Sequence, residues 1–124
     1  MIHLDTSFLI GALDQGSPQD RSLRRWVGDG ETLAVSAVAW SEFLCGPFTR
    51  ADLELARQVI GIYRDFTPDH AAIAARLFSE AGRRRGSLPD CMIAASAMAD
   101  SAPIATANEA DFRRFEDAGL ILAG

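Results

Sequence analysis

The chain has 124 residues, a length that suits one domain around one core, and 48% of them are hydrophobic, which excludes wholesale disorder. All 12 basic residues are arginine, so every mechanism that needs a lysine is excluded: the P-loop lysine, the Schiff base and the receiver-type site. The net charge of -5 argues against non-specific nucleic-acid binding through counterion release. It argues far less against a metal-dependent nuclease, because the acidic site of such an enzyme is part of the negative total.

In chain order, Met1–Leu4 is a short apolar run that suits a buried strand. Asp5-Thr6-Ser7 turns the chain, and Phe8–Leu13 reads as a short helix that Ser7 or Asp5 caps. Gln15–Pro18 is a loop. Gln19–Gly28 is a helix with Leu23, Trp26 and Val27 inward and Arg21, Arg24 and Arg25 outward. Leu33–Ser36 is a second apolar run. Ser36 is placed to cap a helix over Val38–Cys45, which Gly46-Pro47 ends.

Thr49 opens a helix in which Leu53, Ala56, Val59 and Ile60 recur at helical spacing. Tyr63–Phe66 is a short segment compatible with a strand. Thr67-Pro68 starts a long helix to about Arg84, with Pro68 at its first position. Gly86–Pro89 is a linker, and Asp90 begins a helix that runs through Ala99. Ala102–Thr106 reads as a strand, Asp111–Asp117 as a short helix stopped by Gly119, and Leu120–Leu122 as the last strand.

Strand and helix alternate, which implies an α/β sandwich with a mainly parallel sheet, one domain over residues 1–124. Ligands of such sheets bind beyond the carboxyl ends of the strands, where strand order reverses. Asp5 and Thr106 both fall at expected strand ends. No run reaches the roughly 18 apolar residues of a membrane span. Asp5 and the lack of a basic leader argue against a signal peptide, so the expected location is the cytoplasm.

Asp5, Glu42, Asp90 and Asp111 each stand beside apolar sequence at an expected element end. Each has a plain structural reading: Asp5 as a cap, Glu42 as part of a solvated helix face, Asp90 as a first-turn acid favoured by the helix dipole. Gathered at one end of one sheet, however, they would repel one another unless a cation joined them. Magnesium takes about six oxygens and only a few carboxylates, with water filling the rest. At the fourth position Asn108 offers an amide oxygen, while Asp111 either reaches the site or caps the helix at Phe112. Thr6, Ser7 and Thr106 supply hydroxyls that can orient a carboxylate.

Ile2–Ile10, Ser41-Glu42, Leu88–Ala95 and Thr106–Phe112 together resemble the signature of the PIN-domain family, and the length and N-terminal start resemble the VapC-type toxins of toxin–antitoxin pairs. The resemblance spans nearly the whole chain. It implies a three-layer α/β/α sandwich with a mainly parallel five-stranded sheet, a Mg²⁺ or Mn²⁺ site, and endoribonuclease activity. By motif, Asp5, Glu42 and Asp90 match the metal-binding acids, Asn108 falls at the fourth position and Asp111 is an accessory acid. The implied partners are RNA, a second copy of the chain and a small antitoxin protein that joins it in a hetero-oligomer.

Other features have plainer readings. Arg83-Arg84-Arg85 and the pair Arg113-Arg114 are either phosphate contacts or solvated helix ends. His3 and His70 lack a third ligand at suitable spacing. Cys45 and Cys91 form neither a CxxC nor a disulfide scaffold, and both lie beside expected site acids without a catalytic pattern. A phosphotransferase with Asp5 as nucleophile would want Asp-x-Asp, and Ser7 stands in the second place. A non-catalytic interaction module, which Asn108 favours, and a deoxyribonuclease complete the alternatives.

Overall fold

The computed structural model describes residues 1–124. Four strands form one parallel sheet: β1 (Ile2–Leu4), β2 (Leu33–Ser36), β3 (Ile62–Arg64) and β4 (Ile104–Ala105), in the order β3-β2-β1-β4. Seven helices connect and cover them: α1 (Thr6–Ala12), α2 (Pro18–Gly28), α3 (Ala37–Leu44), α4 (Arg50–Val59), α5 (Pro68–Glu80), α6 (Leu88–Ala99) and α7 (Glu109–Arg113). None is long and apolar enough to cross a membrane.

Successive residues of a strand point to opposite faces. Every residue of β1, β2 and β4 is buried, so both faces of the sheet are covered. This is the α/β/α layering expected from the alternation of elements. Only edge strand β3 is partly open, with Tyr63 at the surface.

The sequence explains where most helices start. Asp5, Ser17, Ser36, Thr49 and Thr67 each accept a backbone N–H three residues on. Pro18 and Pro68 occupy first-turn positions, where no N–H is needed. Phe8 of α1 stacks on Trp26 of α2 at 5.4 Å between ring centroids, fixing that pair of helices. Helix α6 is central: Cys91, Ile93, Ala94, Ala95, Ser96 and Ala97 are all buried. Its small residues let α5 and α3 pack against it closely.

Several boundaries differ from the sequence reading. The expected fifth strand, Leu120–Leu122, is a single parallel bridge from Leu122 to Ile104. Two backbone bonds hold it, Ile104 N–H to Ile121 O (2.9 Å) and Ala123 N–H to Ile104 O (2.8 Å), too few for a ladder. The helix expected to reach Arg84 stops at Glu80, because Gly82 (φ 87°) and Arg83 (φ 55°) turn left-handed. Helix α6 starts at Leu88 rather than Asp90, and its first turn admits Pro89. Strand β3 lies at Ile62–Arg64 rather than 63–66, and β4 keeps only two of the five expected residues. The last helix begins earlier than expected and splits into α7 and a 3₁₀ turn, Glu116–Ala118. Val27, expected inward, is 51% exposed, because the buried stripe of α2 runs Asp20-Leu23-Trp26.

A part-buried polar tie crosses the sheet. Asp100, just past α6, accepts from His3 Nε2 of β1 (2.6 Å) and from Arg64 Nε of β3 (2.9 Å). Burial pushes the His3 pKa down, against the hydrogen bond and charge of Asp100, which raise it.

Leu9 is fully buried between α1 and the core, whereas Ile121 keeps most of its side chain in solvent. Leu9→Ala should cost about 2–5 kcal/mol of stability through lost burial and a residual cavity. Ile121→Ala should stay within about 0.5 kcal/mol. Urea unfolding of the two variants beside the parent chain checks both values.

Candidate metal centre

Strand β1 lies in the interior of the sheet, and the chain leaves it first toward β2 and β3 and later toward β4. The order therefore reverses between β1 and β4, where a crevice opens beyond the strand ends. Asp5 stands at the end of β1 and Thr106 follows β4. Thr106 Oγ1 donates to Asp5 Oδ2 at 2.6 Å, bridging the crevice floor.

Asp5 is 4% exposed and hydrogen-bonded through both carboxylate oxygens. Its Oδ1 accepts the Phe8 backbone N–H at 2.7 Å, which caps α1, and the Ser7 hydroxyl at 2.9 Å. Ser7 Oγ in turn accepts the Ala107 N–H at 3.1 Å, and Thr106 Oγ1 accepts the Asn108 N–H at 2.9 Å. These hydroxyls tie the β4–α7 loop to the start of α1. Burial raises the Asp5 pKa; the Thr106, Phe8 and Ser7 hydrogen bonds oppose that, and the Glu42 charge adds to it.

Three further elements complete the rim. Glu42 projects from α3, solvent-exposed, and its Oε1 accepts from Thr6 Oγ1 at 2.7 Å. Asp90 sits in the first turn of α6, at the positive end of the helix dipole. Asn108 and Asp111 come from the start of α7. All five line one cavity of about 240 Å³, walled on its apolar side by Ile10, Ile93 and Phe112.

The structure thus brings together Asp5, Glu42, Asp90, Asn108 and Asp111, every residue that the sequence reading placed in the site. Asp5 is both cap and cavity wall, so its two readings are not alternatives. Asp111 lies inside α7 and does not cap it. Asn108 is the cap residue there but makes no side-chain cap bond, which leaves its amide free of that duty.

Like charges gather here at a cost. The Asp90 pKa is raised to about 6, first by burial, against the nearby Arg114 guanidinium, and further by the charges of Asp111, Glu42 and Asp5. A divalent cation would relieve that repulsion, and the all-oxygen donor set suits a hard ion such as Mg²⁺ or Mn²⁺. The side chains as they stand do not form a ready cage of three ligands. Glu42 meets Thr6 through Oε1 and Asp90 meets Arg114 through Oδ2, each contact using one oxygen of its carboxylate.

Sequence reasoning underrated Arg114. Its neighbour Arg113 is a surface arginine paired with Glu109 at 2.9 Å, but Arg114 turns inward to Asp90. Both arginines lie between Phe112 and Phe115, so no local signal tells them apart. Arg83, Arg84 and Arg85 stay exposed and do not line the cavity. Cys91 is buried and its thiol pKa is pushed up by that burial, which makes it inert; Cys45 is exposed and unpaired.

A PIN domain family profile matches residues 2–118. Among solved structures, the chain resembles VapBC2 from Rickettsia felis bound to a DNA fragment from its promoter, with 22% identity over 99% of this chain and 98% of that one and a TM-score of 0.79. It resembles a VapBC-5 toxin–antitoxin structure from Mycobacterium tuberculosis with 26% identity over 98% and 97% of the two chains and a TM-score of 0.63. It also resembles VapC20 from the same organism, described as a sarcin–ricin-loop-cleaving toxin, with 16% identity over 99% and 98% and a TM-score of 0.65. No curated protein sequence matches the chain.

The raised Asp90 pKa fixes the sign of a stability effect. Above about pH 6 the folded chain carries an ionised Asp90 at a cost that the unfolded chain, titrating near 3.8, does not bear. That cost fades as pH falls through 6 toward 3.8. Asp90→Asn should therefore melt higher than the parent at about pH 8 in EDTA, with the two curves converging by about pH 4. Thermal melts across that range check the convergence.

Proposed function

The chain belongs to the PIN domain family, and we propose that it is a metal-dependent endoribonuclease, the toxin of a toxin–antitoxin pair. One observation carries the reading: four carboxylates from β1, α3, α6 and α7 face one cavity at the strand-order reversal. We read residues 1–124 as one PIN domain acting on RNA in the cytoplasm. The sarcin–ricin-loop-cleaving description of VapC20 supports an RNA substrate, and the VapBC complexes support an antitoxin partner.

Asp5, Glu42 and Asp90 would hold Mg²⁺ or Mn²⁺, directly or through water, with Asp111 as accessory acid and Asn108 offering a neutral amide oxygen. When bound, the ion supplies charge neutralisation at the scissile phosphate and a more acidic water for in-line attack. The protein's own contribution is orientation. Ser7 and Thr106 hold the Asp5 carboxylate in one pose by hydrogen bonds at 2.9 and 2.6 Å. Thr6 does the same for Glu42. Ile10, Ile93 and Phe112 give the cavity one apolar wall. Water attack leaves 5′-phosphate and 3′-hydroxyl ends, whereas 2′,3′-cyclic phosphate would require attack by the RNA's own 2′-hydroxyl.

The cavity also suggests how the pair is silenced. An arginine or lysine side chain on the antitoxin's tail would pair with these carboxylates and take the cation's place. The active species would be a homodimer that joins the antitoxin as a hetero-oligomer. Asn108 supports a second reading, a weakly active or inactive interaction module, because an amide adds no charge to hold a second ion. Calorimetric titration with Mn²⁺ separates the two readings. The module binds no ion, while the nuclease binds one and loses affinity on Asp5→Asn.

Total RNA incubated with antitoxin-free protein should give discrete 5′-phosphorylated fragments with Mg²⁺ or Mn²⁺ and none with EDTA. Asp5→Asn and Asp90→Asn should each lower cleavage about 100-fold or more, since each removes charge from the ion's ligand set. Equal cutting by parent and variants would overturn the nuclease reading. A matched DNA strand in the same assay tests for deoxyribonuclease activity.

A further inference from the structure

Arg114, immediately after α7, stands behind Asp90 in an arrangement that surface exposure does not explain. Its side chain is 18% exposed, and the guanidinium carbon lies 4.7 Å from the centroid of the Phe115 ring. A single Nη2–H reaches Asp90 Oδ2, at a long 3.5 Å. The Nε–H and Nη1–H groups are buried with no partner. Idle buried donors on a charged group are costly. They are tolerated here beside a carboxylate that Asp111, Glu42 and Asp5 all burden with like charge. Because Nε and Nη1 are closed to solvent, those donors do not meet a polymeric substrate, and any influence of theirs on chemistry passes through Asp90.

We propose that Arg114 is a positioning residue for Asp90: it holds Oδ2, leaves Oδ1 for a divalent ion, and serves as the stand-in cation of the carboxylate cluster when no ion is bound. The proposal rests on the metal-site reading above. An arginine suits both duties. Its charge is permanent, its planar fork fixes an oxygen in direction, and the flat face packs on an aromatic ring.

Two variants separate charge from direction. Arg114→Gln keeps a planar polar end and loses the charge; Arg114→Lys keeps the charge and loses the fork. In EDTA the Gln variant should melt below the parent. Added Mn²⁺ should raise its melting temperature by more than the parent's, and calorimetry should show Mn²⁺ binding about ten-fold tighter, because a competing positive charge is gone. Cleavage at saturating Mn²⁺ should nonetheless be slower. The Lys variant should keep the parent's Mn²⁺ affinity and share the slower cleavage.

A Gln variant that loses equal stability with and without Mn²⁺, at unchanged Mn²⁺ affinity, overturns the proposal and leaves Arg114 a packing residue. If the Gln variant does not fold, the Lys variant decides, and cleavage equal to the parent's overturns the positioning role. A parent chain that binds no Mn²⁺ overturns the proposal together with the metal reading beneath it. Parent binding with unmoved variants overturns the proposal alone.

Discussion

The hydrogen bond from Thr106 to Asp5 is the contact on which the site depends. A parallel sheet points all its strand ends the same way; β1 and β4 stay paired as far as the Asp5 N–H on Ala105 O at 3.0 Å, and the gap opens just beyond that last backbone bond. The short Oγ1–Oδ2 contact spans that gap. It fixes the carboxylate to β4, while the Phe8 N–H fixes the same carboxylate to α1. One side chain is thus at once the start of a helix, the seam between two strands and the floor of the cavity. Ser7 doubles the seam by holding both Asp5 and the Ala107 N–H.

Around this floor the fold works against its own electrostatics. Glu42, Asp90 and Asp111 arrive from separate helices, and their charges reach one another across the cavity. Folding gathers them because each rides on an element whose apolar face is buried elsewhere. Ala39 and Phe43 seat α3, the small residues of α6 seat that helix, and Phe112 seats α7. Hydrophobic burial at these helices outweighs the repulsion at their tips. A site held in this way is destabilising at rest.

Much of this was legible in the sequence for a physical reason. Caps announce themselves through small polar side chains before apolar periodicity, and Asp5, Ser36, Thr49 and Thr67 were readable as element starts. The acids of the cavity were legible because charged residues inside apolar runs need an explanation. The lengths of short strands were not legible. β4 has two residues and the stretch at Leu122 one bridge, because pairing depends on what the neighbouring strand offers rather than on local propensity. The true start of α6 was hidden by Pro89, which reads as a breaker yet fits a first turn. Arg114 was hidden because its direction is set by Phe115 and Asp90 in space, while Arg113 beside it faces water. The tie between His3, Arg64 and Asp100 joins residues too far apart in the chain for any local pattern to show.

The separation of Asp5 from Thr106 along the chain, 101 positions, also sets an order in time. A ribosome delivers β1 well before β4. Until β4 emerges, Asp5 has its helix to cap but no hydroxyl across the crevice, and neither Asn108 nor Asp111 exists to close the rim. The growing chain therefore carries Asp5 for a stretch of 101 positions without a finished cavity. Whatever chemistry the cavity performs waits until β4 and the start of α7 have followed β1 out of the ribosome.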